Sequence, residues 1–292
     1  MRLITVACAI CLAVVLDSAS AQNLVSHLCP GIITPETDLN IQNASVKRTD
    51  LNETNGELRF GEVGKVDDND VDLVITAVDY QISFNGNPNG KDKSDSFGQI
   101  ALKTVEGIPS SGEGEFRFCF VEPDTHNPVV VESFVWSVLD IDRRKNSGGK
   151  KGISEKLSID TSQVTSYDIR SNAQISVSCE DGSTSLPCGQ NLLTEFLATH
   201  DGTKHDNPTN PLDLTDIQER RSVVFTFEDT SCWTIKYNAF CPFEANGESC
   251  SWYGGSNFFF AGNAKSGGCK TFEPTKQPTK QPTKQPTKQP TK

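Results

Sequence analysis

Val71-Asp-Leu-Val-Ile-Thr-Ala-Val78 carries the period that decides the fold. In an extended chain Val71, Leu73, Ile75 and Ala77 fall on one face, and Asp72, Val74, Thr76 and Val78 on the other. The same period of two places Phe116, Phe118 and Phe120 together, and again Val223, Phe225 and Phe227. Ile175 and Val177 repeat it briefly, and Asn257–Ala261 reads as a final buried strand. Such strands, parted by Asn/Gly/Asp turns like Asn85–Gly90, predict an all-β fold. The expected form is an antiparallel β-sandwich, jelly-roll-like, with minor short helices. Asn191–His200 is expected to make two to three helical turns, and Thr215-Asp-Ile-Gln218 is a capping box opening one more.

Working outward, the 292 residues are 35% hydrophobic and 22% charged, enough apolar material for a true core. Residues 1–21 read as a secretory signal: Arg2, an apolar stretch Leu3–Leu16, and Ala19-Ser20-Ala21 before Gln22. No interior run reaches the length of a membrane span, so the mature chain is expected to carry no transmembrane segment. A polar segment, 22–56, precedes a sandwich domain expected over 57–270. In that segment Asn43-Ala-Ser45 and Asn52-Glu-Thr54 are glycosylation sequons, with Asn43 and Asn52 as acceptors.

The last segment, 271–292, is low in complexity. From Pro274 it repeats Pro-Thr-Lys-Gln and stops within the pattern, consistent with a fragment of a longer chain. Proline at every fourth position excludes helix and sheet and leaves an extended spacer. Its five lysines face no acid, so the spacer carries +5. The formal charge of the whole is −11 and the signal is neutral, leaving −16 for residues 22–273. So acidic a body argues against nucleic acid as a partner.

Cys8 and Cys11 leave with the signal. Cys29, Cys119, Cys179, Cys188, Cys232, Cys241, Cys250 and Cys269 remain, an even number in an oxidising compartment, and predict four disulfides. Cys179 and Cys188 flank a short loop and are expected partners, while Cys232, Cys241, Cys250 and Cys269 are expected to pair among themselves. A four-thiolate zinc site would need a C-x2-C pair, which the eight cysteines left after the signal do not provide.

The stretch with the most chemistry is Phe134-Val-Trp-Ser-Val-Leu-Asp-Ile-Asp142, followed by a loop and Ile153–Ile159. If both runs are strands, Phe134, Trp136, Val138, Asp140 and Asp142 share a face. Pairing them as a hairpin with Asp142 opposite Ile153 sets Asp140 against Glu155. Facing carboxylates repel and need a cation between them or a basic side chain folded back. Asp140, Asp142 and Glu155 are therefore the candidate metal ligands, with calcium the natural cation. Asp67–Asp70 reads as a solvated turn, and Asn85–Gly90 lacks the Glu of an EF-hand loop. His200 and His205 read as surface histidines. Trp252 and Tyr253 are candidates for stacking on a sugar ring, or else pack against nearby disulfides. There is no G-x-S-x-G, H-E-x-x-H or Gly-rich phosphate loop, and acidic pairs such as Glu113/Glu115 are too common here to mark a hydrolase.

Gly56-Glu-Leu-Arg-Phe-Gly-Glu-Val-Gly64, Val71-Asp-Leu-Val74, Phe134–Asp142, Arg221-Ser-Val-Val-Phe-Thr-Phe-Glu-Asp-Thr-Ser231 and Asn257-Phe-Phe-Phe-Ala-Gly262 together resemble a β-sandwich module of secreted surface proteins. That module is associated with diatoms, related algae and bacterial exoproteins, and the tail is similar to diatom extracellular spacers. The resemblance implies a non-catalytic extracellular role in adhesion, wall or matrix. The division of charge adds divalent cations or cationic matrix as expected partners of the acidic body, and acidic polysaccharide or silica as those of the lysine-rich tail. The readings from other classes are a secreted glycoside hydrolase or lyase, and a calcium-dependent lectin.

Overall fold

The computed structural model describes residues 39–53, 55–80, 89–103, 112–144, 152–189, 192–203, 206–241, 250, 255–262 and 269–272. They form two facing sheets. In spatial order the larger holds β1 (Ser45–Thr49), β2 (Glu57–Val66), β3 (Asn69–Tyr80), β6 (Gly112–Val121), β15 (Cys232–Phe240), β9 (Ser154–Ile159), β12 (Thr194–Ala198) and β11 (Ile175–Cys179). Two-residue strands β8 (Arg143–Arg144) and β13 (Asp201–Gly202) extend it beside β9. The smaller runs β17 (Cys269–Phe272), β10 (Ser166–Arg170), β14 (Val223–Thr230), β7 (Val131–Leu139), β16 (Gly255–Ala261), β5 (Gly98–Lys103) and β4 (Gly90–Lys91). Pairings between these strands are antiparallel except β8 with β13. This is the expected all-β architecture. Asp67 and Asp68 both take positive φ between Val66 and Asn69, the two-residue turn whose twist matches a hairpin.

The alternating side chains meet between the sheets. Phe116, Phe118, Phe120 and Trp233 of the larger sheet are sealed, as are Phe134, Trp136, Phe225, Phe227 and Phe260 of the smaller. Phe118 lies edge-on to Trp136 at 5.2 Å and Phe120 edge-on to Phe134 at 4.8 Å, so the contact across the layers is largely aromatic. Each such ring contributes about 2–3 kcal/mol by leaving water. Leu39, Ile41, Ala44 and Leu51 join this core, and β1 pairs with β2, so residues ahead of position 57 take part in the sandwich.

Three details differ from the expectation. Thr194–Ala198 is a strand, not a helix: Thr194, Phe196 and Ala198 are buried while Glu195 and Leu197 are only half-buried. A sealed threonine on the core side disguised the period of two. The capping box does open a helix, α1 (Asp216–Glu219), with the Thr215 amide donating to Gln218 Oε1 at 2.8 Å. Cys232 pairs with Cys119, which lies directly opposite it on β6, rather than within the C-terminal cluster. Cys179–Cys188 and Cys241–Cys250 form as expected. Cys29 lies outside the described residues, as does the side chain of Cys269.

The third difference is topological. β7 and β9 do not form a hairpin, because β7 pairs with β14 and β16 in one sheet and β9 with β15 and β12 in the other. The chain changes sheets between Leu139 and Arg143.

Candidate functional site

Asp140 makes that change of sheet possible. Its φ is +60°, a conformation that Asp tolerates better than most residues because its short side chain bonds locally. The kink shifts the alternation by one position. Ile141, not Asp140, continues the core side begun by Phe134, Trp136 and Val138, and its amide donates to the Arg221 carbonyl at 2.9 Å. Beyond it Arg143 pairs with Ser154, and the Glu155 amide donates to the Asp142 carbonyl at 3.2 Å. Asp142 therefore stands opposite Glu155, two positions away from the register read from the sequence.

Arg221 is 2% exposed and lies at the centre of the cluster. Its Nη1 donates to Asp206 Oδ2 at 2.7 Å and to Asp142 Oδ2 at 3.3 Å. Nη2 donates to the Asp201 carbonyl at 2.8 Å and Nε to Gln174 Oε1 at 2.7 Å, so the guanidinium is held on every side. Asp206, 6% exposed, accepts from the Thr203 amide at 2.8 Å and 3.1 Å. Asp142 rests on the backbone of β13: a Cβ at Gly202 would sit 1.6 Å from its Oδ2. One carboxylate oxygen from each of Asp140, Asp142 and Asp206 lies within 4.8 Å of the other two. The Oδ1 of Asp140 is shut off from solvent and has no hydrogen-bond partner.

Glu155 lies alongside rather than within this trio. It accepts from the Asp142 amide at 3.3 Å and from the Ser256 hydroxyl, which is 2.8 Å from the Tyr237 hydroxyl. Burial pushes the Asp142 carboxyl up to about 7, with Asp206 and Asp201 adding to the effect and Arg221 opposing it. Burial, then the charges of Asp142 and Asp206, hold Asp140 well above the usual carboxylate range. Glu155 is raised as well, by burial and then by Asp142.

Asp206 and Arg221 had no signal in the sequence. They follow Asp140 by 66 and 81 positions, and only the sheet topology brings them to the crossover. Asn43 and Asn52 are both exposed, as is His200. Trp252, Tyr253 and His205 lie outside the described residues.

A second buried polar group lies on β2 and β3. Arg59 Nε donates to Glu57 Oε1 at 3.0 Å, Nη1 to Asp72 Oδ2 at 3.1 Å and Nη2 to the Thr125 carbonyl at 2.6 Å. Asp72, fully buried, also accepts from the amides of Glu62 at 3.1 Å and Asp124 at 3.2 Å, and from Lys47 at 3.2 Å. Glu57 Oε2 is 2.7 Å from His126 Nε2. Burial alone would raise the Asp72 carboxyl, but the amides of Asp124 and Glu62, then Lys47 and Arg59, outweigh it and hold it low. In Glu57 burial is outweighed in the same way by His126 and Arg59.

Among known proteins, a family model described as a PT disordered repeat matches residues 270–292. No curated protein matches the chain. The structure is weakly similar to the N-terminal domain of the Streptococcus gordonii adhesin Sgo0707, with TM-score 0.40 and 10% identity over 78% of this chain. The chain spans 60% of the length of that structure. It is also similar to the adhesin domain of PrgB from Enterococcus faecalis, solved bound to DNA, with TM-score 0.41 and 10% identity over 76% of each chain. The third is glucan binding protein C of Streptococcus mutans, with TM-score 0.38 and 11% identity over 77% of this chain and 63% of that one.

Proposed function

We propose that this chain is a secreted, extracellular binding protein of the adhesive or matrix type, in which an acidic sandwich is carried on a basic spacer. The observation that carries the reading is the division of charge: −16 over residues 22–273 against +5 over the repeat that follows. A polymer of either sign finds one end of the molecule attractive and the other repulsive, and such complementarity sets partner and orientation. The three disulfides among the described residues suit a body that works outside the cell.

The test is retention on insoluble polymers of opposite charge. Full-length protein is expected to be retained on an acidic polysaccharide, to elute with salt, and to lose that retention when residues 274–292 are deleted. The shortened protein is expected to keep its retention on a cationic polymer. Passage of the full chain through both columns at low salt would overturn the reading.

A further inference from the structure

The crossover cluster carries more negative charge than its own side chains neutralise. Asp140, Asp142 and Asp206 each bring a carboxylate oxygen within 4.8 Å of the other two, and among the described residues Arg221 is the only side chain hydrogen-bonded to two of them. When the three are ionised, the group of four holds a net charge of −2 in a buried place. Of the nearby charges among the described residues, Arg143 pairs with Asp201 through Nη2 while its Nε is buried without a partner, and Arg144 is exposed beside Asp142 and Glu155. Oδ1 of Asp140, a member of this cluster, is sealed from solvent and has no hydrogen-bond partner. A buried oxygen in that condition costs about 1–3 kcal/mol unless something fills its shell.

We propose that Asp140, Asp142 and Asp206 form a binding site for a divalent cation of the calcium class. A dication brings the four groups to neutrality and gives Asp140 Oδ1 the partner it lacks. Among the described residues the donor set is all carboxylate, which suits a hard cation better than zinc or copper. Calcium suits it better than magnesium, because a kinked crossover and a loop supply oxygens in irregular directions where magnesium demands a near-ideal octahedron. Arg221 is a positioning residue: it braces Asp142 and Asp206 from the side and removes one unit of their mutual repulsion. Gly202 leaves the space that the Asp142 carboxylate occupies. Glu155 is not one of the ligands in this assignment. It is tied to Ser256 and to the Asp142 amide, and so holds the Asp142 backbone.

The experiment is calorimetric titration of the full chain with calcium chloride and, separately, magnesium chloride, paired with melting curves in chelator and in calcium. Saturable calcium binding near one equivalent is expected, tighter than magnesium, with a melting point that rises with calcium concentration, as it must when only the folded state binds. Asp140→Asn removes a buried charge without changing shape, so it is expected to melt no lower than the parent in chelator. It should bind calcium about tenfold or more weakly, the range over which ligand charge tunes such sites. Asp206→Asn serves as the second ligand variant. Asp68→Asn, on the exposed β2–β3 turn, should leave the calcium response intact. No saturable binding, or a response that survives both ligand variants, or one lost equally in Asp68→Asn, would overturn the assignment.

Discussion

The buried groups around Arg59 and around Arg221 each set acids against one guanidinium and reach opposite electrostatic outcomes. Around Arg59, the oxygens of Asp72 and Glu57 are met by backbone amides, Lys47, His126 and the guanidinium, and both carboxyls are held below their ordinary range. Around Arg221, one guanidinium is shared by an excess of acids, Asp140 has a bare oxygen, and the Asp140 and Asp142 carboxyls are raised. Deeper desolvation of the crossover acids and their fewer donors together separate the two. Strands β2 and β3 run side by side, and the chain segment at 122–125 supplies one amide and one carbonyl to their charges, with a second amide from Glu62 of β2. At the crossover the backbone is spent on changing sheets, and it leaves the acids with fewer N–H groups. The first arrangement satisfies its charges within the fold, whereas the second leaves a carboxylate oxygen without a donor.

The comparison is sharpest in pH dependence, where the largest effect is expected. Asp142 has its folded value raised from 3.8 to about 7, so the folded state binds a proton that the unfolded state has lost. Stability in chelator should therefore fall as pH rises from about 4 to about 7. At about 1.4 kcal/mol per unit this is on the order of 4 kcal/mol, with Asp140 and Glu155 acting in the same direction. Asp72 and Glu57 act oppositely: their folded values are lowered, so their contribution is present above pH ~4 and is lost on further acidification. Urea unfolding from pH 3 to 8 should show both limbs, with Asp142→Asn flattening the upper and Asp72→Asn the lower. A single limb rising toward pH 7 would erase the distinction.

Next in size is Arg59→Ala, which strands two carboxylates in the interior and is expected to cost about 3–5 kcal/mol by chemical denaturation at pH 7. Arg221→Ala should cost less at pH 5 than at pH 8, because the neighbouring acids can take up protons. Equal costs at both pH values would show that the crossover acids are ionised throughout. Smallest is Gly202→Ala. Its methyl group would occupy the position of the Asp142 carboxylate, and the crowding should cost about 1–3 kcal/mol, read as a lowered denaturation midpoint with unchanged slope.

The sandwich was legible because its core strands obey the period of two without interruption: Phe116 to Phe120 and Val223 to Phe227 all face inward as read. Legibility failed where something other than hydrophobic alternation governs the backbone. In Thr194–Ala198, a threonine sealed by packing breaks the apolar code, and the two leucines before it mimic a helix. At Asp140 one positive φ moves every later side chain to the other face, and nothing in the composition of Leu-Asp-Ile-Asp distinguishes a kink from a strand. Asp140 and Asp142 were found as candidate ligands because they are close in sequence. Asp206 and Arg221 were missed because a two-layer fold assembles its corners from distant segments. The Cys119–Cys232 bond was missed for the same reason, since it requires knowing that β6 and β15 are neighbours.

That bond closes a ring of chain from position 119 to 232, and Asp140, Asp142, Glu155, Asp206 and Arg221 all lie within it. A protease that cuts once anywhere inside the ring produces no free fragment: the pieces migrate together until a thiol is added. Outside the cell, where enzymes of that kind are abundant and reductants scarce, the segment bearing the acidic residues can be nicked and still remain tethered to the rest.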